Sequence, residues 1–120
     1  MPATTDVLIR GELTFDGAPV DLSGASVKVR VDDVSRMDAE SIPLVEHAVK
    51  SLPSGATTAS AIPFELRAGG LRADARYTLR AHVDMDRDGQ ISVGDFITME
   101  DFPVSAGTIG YHRVRVRRVE

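Results

Sequence analysis

Residues 84–95 read DMDRDGQISVGD, with carboxylates at the first, third, fifth and twelfth positions and glycine at the sixth. This is the ligand order of a twelve-residue calcium loop, in which a hard cation gathers six to eight oxygens around one tight turn. On this reading Asp84, Asp86 and Asp88 supply side-chain oxygens and Gln90 its backbone carbonyl. Ser92 binds directly or through a water, and Asp95 closes the site. Gly89 permits the sharp turn at positive φ, and Ile91, eighth in the loop, is expected to point into the core and anchor the loop there. Three aspartates crowded at alternate positions repel one another unless a cation neutralises them. The plain alternative is a solvated Asp/Gly hairpin turn held by Asx hydrogen bonds. An aspartate at the twelfth position, where a glutamate normally gives two oxygens, weakens affinity.

The flanks decide what kind of site this is. A sensor loop of the EF-hand type works by moving two helices apart, and neither residues 76–83 nor residues 96–99 have helical periodicity. The calcium expected here is therefore structural. It pins a long hairpin connection and neutralises the six acids found between residues 84 and 101. Glu100 and Asp101 read as a charged, solvent-facing turn.

The elements that must position this loop are strands. From Arg76 to Val83, Tyr77, Leu79, Ala81 and Val83 alternate with Arg76, Thr78, Arg80 and His82, so the first set faces a core and the second faces out. Val7, Ile9, Leu13 and Phe15 alternate in the same way, with Gly11 in the inward slot between them as a candidate bulge. Further strands are read at 26–31 (Val27, Val29, Val31 inward), 42–52 (Val45, His47, Val49 on one side), 62–68 (Ile62, Phe64, Leu66 inward), 96–104 and 110–119 (Val114 and Val116 on one face). A short helical turn fits Met37 to Glu40. Seven or eight short antiparallel strands with turn residues between them indicate an all-β fold, a single β-sandwich of transthyretin-like or immunoglobulin-like architecture spanning residues 1–120.

Composition agrees with one soluble domain. The chain has 120 residues, 42% of them hydrophobic and 27% charged, with a formal net charge of -4, which gives no reason to expect nucleic acid as a partner. Cysteine is absent, which removes disulfides, thiolate metal sites and cysteine nucleophiles. No basic region followed by an apolar stretch opens the sequence and no run of eighteen apolar residues occurs in it, so neither a signal peptide nor a membrane span is read. The expectation is a cytoplasmic chain, or an envelope protein if a leader has been removed.

Other candidate residues carry less chemistry. His47, His82 and His112 lack ligand spacing; a transthyretin-like hydrolase would need all three to converge in one pocket. No G-x-S-x-G elbow and no phosphate-binding glycine loop occurs, and no enzyme activity is expected. Arg113, Arg115 and Arg117 form an outward row that, with Lys28, Arg30, Arg76 and Arg80, offers a basic sheet face. Such a face, or a free strand edge, would serve a metal-independent binding domain.

Taken in order, VKVRVDDVSRMDAESIPLVEHAVKS, IPFELR, ARYTLRAHVD and FPVSAG cover about four fifths of the chain. In their order and spacing they resemble the YbaY/YscW-like family of small bacterial β-sandwich domains. The resemblance implies an envelope lipoprotein, in some members a pilotin-like chaperone of type III secretion, whose work is binding or assembly with another protein. Two departures accompany it: no lipobox cysteine is present, and the Asp-rich loop stands where relatives have a shorter hairpin. The residues that carry the resemblance are fold determinants and bring no functional residue with them.

Overall fold

Strand alternation is realised along nearly the whole chain in the computed structural model, which describes residues 7–35, 42–105 and 110–120. The helical turn expected at Met37 to Glu40 lies outside the described residues. Eight strands form: β1 (Val7–Phe15), β2 (Ser26–Asp33), β3 (Ile42–Val49), β4 (Ile62–Ala68), β5 (Tyr77–Asp84), β6 (Phe96–Ile97), β7 (Pro103–Val104) and β8 (Tyr111–Arg118). They join in one sheet of order β3-β2-β5-β6-β8-β1-β4, with β7 added on β5. The sheet curls until β3 and β4, its two terminal strands, lie against each other without pairing, so the all-β fold is a nearly closed barrel. No helix among the described residues is long and apolar enough to cross a membrane.

Every strand pair is antiparallel except β1 with β8, which run parallel from Arg10 opposite Tyr111 to Phe15 opposite Val116. The inward residues read from the sequence meet in one core: Ile9, Leu13, Val27, Val29, Val31, Leu79, Val83, Val114 and Val116 are all fully buried. At one end of the barrel Phe15 and Phe96 pack edge to face, their ring centroids 5.2 Å apart. Gly11 makes no bulge. Its register is continuous with Phe64 on β4 and with His112 on β8.

The outward residues of β5 are less exposed than alternation implies. Thr78 is buried because residues 98–102 fold across it, and its Oγ1 accepts the Phe102 N–H at 3.1 Å. On neighbouring β2, Asp32 is fully buried and held by two cations, with Arg30 Nε 2.9 Å from its Oδ1 and Arg80 Nε 3.2 Å from its Oδ2. Both arginines reach solvent, so removing the carboxylate strands no buried cation. Asp32→Ala is expected to lower stability by about 2 kcal/mol, the loss of hydrogen bonds to a charged, desolvated acceptor. Urea unfolding reads this as a lower midpoint with an unchanged slope.

Candidate metal centre

The Asp-rich segment is the connection between β5 and β6, closed by the pairs Val83–Phe96 and His82–Ile97. Three residues do most of the folding of this loop. Asp95, 1% exposed, accepts the Met85 N–H on Oδ1 at 2.9 Å and the Ser92 N–H on Oδ2 at 3.1 Å. His82 Nε2 stands 2.8 Å from the same Oδ2. Asp84, 4% exposed, accepts the Gly89 N–H on Oδ2 at 2.8 Å, and Gly89 takes the positive φ of 78° that glycine accommodates without strain. Asp88 accepts the Gln90 N–H at 2.9 Å, and the Ser92 hydroxyl lies 3.4 Å from Asp86 Oδ2.

One atom is left over. Asp84 Oδ1 is buried and has no hydrogen-bond partner, a state that carries the full desolvation cost of a charged acceptor. Ligand-type atoms of Asp84, Asp86 and Asp88 lie within 4.8 Å of one another, and so do those of His82, Asp84 and Asp95. Asp84 belongs to both groups.

The electrostatics follow from this crowding. Burial pushes the Asp84 carboxyl up, but the Gly89 N–H and the nearby Asp86 carboxyl, which holds the proton in its place, outweigh it and leave the group below its ordinary range. Asp86 moves the other way: the close Asp84 carboxylate raises it, with burial and Asp88 adding to the effect. Two carboxyl groups this close share a proton or need a cation between them. Burial likewise pushes Asp95 up, and the hydrogen bonds from His82, Met85 and Ser92 more than reverse the effect.

The residues present suit a hard, oxygen-seeking cation: an orphaned buried carboxylate oxygen, two further carboxylates beside it and a glycine turn. Asp84, Asp86 and Asp88 would hold it. Asp95, read from the sequence as the closing ligand, has both oxygens engaged in bracing the loop. Gln90 is exposed, with its N–H turned to Asp88.

Ile91 departs from expectation. It is 60% exposed, because the chain re-enters the core through Phe96 on β6 and no helix or strand among the described residues covers residue 91. His82, which has no ligand spacing in the sequence, joins the site through the strand period, since it shares one face of β5 with Asp84. The three histidines stand apart in the fold: His82 is on the outer face of β5, whereas His47 and His112 occupy inward positions of β3 and β8, opposite Val29 and Gly11.

No protein-family model and no curated protein matches this sequence. Among solved structures, the chain is similar to an alternative pilotin from the type II secretion system of Vibrio cholerae, at a TM-score of 0.72 and 20% identity. The match covers 97% of this chain and 99% of that one. At this identity the likeness establishes the fold, a small pilotin-like β domain.

Proposed function

We propose that this chain is a non-enzymatic binding module that recognises another protein in a secretion-type assembly, with calcium at the β5–β6 loop as a structural brace. The match to a pilotin over nearly the full length of both chains supports the assembly role. It agrees in kind with the YbaY/YscW-like motifs in the sequence, and with them favours a place in the cell envelope. The observation that carries the metal is the buried, unpartnered Asp84 Oδ1 beside Asp86 and Asp88. A cation there relieves the desolvated oxygen and the mutual repulsion together. Because it binds the folded loop and not the open chain, it stabilises the domain by linkage.

Scanning calorimetry with EGTA and with calcium tests the metal. If the dissociation constant is about 0.1 mM, at the tight end for extracellular modules, roughly 10 mM calcium adds about 2.7 kcal/mol. For a domain of this size that raises the melting temperature by roughly 10 °C. Asp84→Asn is expected to abolish the shift, and an unchanged wild-type melt sinks the calcium reading.

A metal-independent binding domain is favoured by a separate feature, the outer edges of the terminal strands β3 and β4, which form no ladder with each other. Partner binding that persists undiminished in EGTA supports it over the calcium-braced form.

A further inference from the structure

Beside the metal loop, on the outer face of the sheet, lies an open cleft of about 250 Å³ between β2, the end of β3 and the loop. Its walls carry three cations, Lys28, Lys50 and Arg87, with Asp84 and Gly89 at the loop side. None of the three makes an ion pair among the described residues; Arg67, Arg76, Arg113, Arg117 and Arg118 share that state, and what sets these three apart is that they line one cleft. Ala48 stands opposite Lys28 in the β2–β3 ladder, so a methyl group forms the floor where a larger side chain would fill the space. Arg87 holds a φ of 56°, the single positive value outside glycine among the described residues. A left-handed backbone at a non-glycine residue costs free energy and is concentrated at binding sites.

From these observations we infer that the cleft binds a carboxylate of a protein partner, a glutamate or aspartate side chain on an extended segment lying beside β3. Three unpaired cations around a volume this small suit one oxyanion. The outer edge of β3 has no ladder partner among the described residues, although β4 approaches it, and its backbone groups can take an extended chain. An anionic bilayer fits less well, because attraction to anionic lipid takes a cluster of about four to eight Lys or Arg, and the cleft offers Lys28, Lys50 and Arg87 alone. Cation binding at Asp84 would strengthen the site by neutralising the acid nearest the cleft. That strengthening rests on the calcium reading; the cleft itself does not.

The test is fluorescence anisotropy at low ionic strength with a labelled, capped Ala-Glu-Ala-Glu-Ala-Glu-Ala peptide. Lys28→Gln combined with Lys50→Gln is expected to weaken binding by about tenfold or more. The control pair Arg67→Gln with Arg113→Gln removes the same charge from exposed positions on β4 and β8 and is expected to leave binding within about twofold. Equal losses in both pairs, or no loss in the first, overturn the inference. So does binding to phosphatidylglycerol vesicles that depends on Lys28 and Lys50 when the peptide does not bind. If calcium fails to shift the melt while the lysine variant still loses the peptide, the metal reading fails and the cleft stands. A normal calcium shift with peptide binding indifferent to the lysines overturns the cleft alone.

Discussion

Gly11→Ala is expected to be the most damaging single methyl that can be added to this protein. Gly11 sits in the middle of β1, between Phe64 of β4 and His112 of β8. A Cβ there would overlap the His112 carbonyl oxygen and lie 2.7 Å from Phe64 Cζ. The ring could turn aside; the carbonyl belongs to the parallel ladder and cannot move without parting β1 from β8. Overpacking of this kind costs about 3 kcal/mol at the upper end of its usual range, and more when backbone must shift. A domain of this size has about 5–15 kcal/mol in total, so the variant should melt more than 10 °C below the wild type, at roughly 4 °C per kcal/mol. Differential scanning fluorimetry decides it, and a melt within a few degrees of wild type would show that the β1–β8 spacing is looser than described.

Asp95→Ala, measured in EGTA, should come second. The carboxylate gathers the Met85 N–H, the Ser92 N–H and His82 at the root of the loop, and burial hides it from water. Its removal leaves two amides and an imidazole short of partners, a loss of about 3 kcal/mol at about 1 kcal/mol or more for each group. Burial raises the Asp95 carboxyl and its three hydrogen bonds lower it by more, so its folded value lies below the unfolded one. The sign follows: the stabilisation is fully present above the unfolded value of about 3.9 and fades as the pH falls through the lowered folded value. Urea midpoints taken from pH 6 down to pH 2 should therefore show a steeper acid decline in the wild type than in Asp95→Asn. Parallel declines would remove Asp95 from the account.

Much of this fold could be read from period-two alternation, because a strand buried on one face writes that face into every second residue. Tyr77, Leu79, Ala81 and Val83 are inward as read, and so are Val27, Val29 and Val31. Alternation names a face and never a partner. The parallel β1–β8 ladder depends on which strands meet across a hundred residues, and nothing local in GELTF or HRVRV encodes it. The candidate site divides the same way. The acidic spacing and Gly89 were legible; the role of Asp95 as a brace was not, since it depends on His82 of β5 and the Met85 amide just past that strand meeting one carboxylate. Ile91 was misread because its expected burial presupposes a second element packed on the loop, and among the described residues none covers it. Thr78 was misread for the opposite reason, a distant segment folding over a position that alternation left in water.

The parallel pairing of first and last strands also fixes how the molecule can be held. The chain leaves the start of β1 at the end where Val7 faces Ala68, and it leaves β8 at the other end, where Val119 is bonded to both Gly94 and Asp95. Nine residues of strand separate these ends, about 30 Å at 3.3 Å per residue. A tether fused ahead of Val7 therefore presents residues 84–95 and the neighbouring cleft outward. A tag fused after Glu120 emerges against the loop itself. Immobilising the protein by one terminus or the other chooses which end of the barrel a partner can reach.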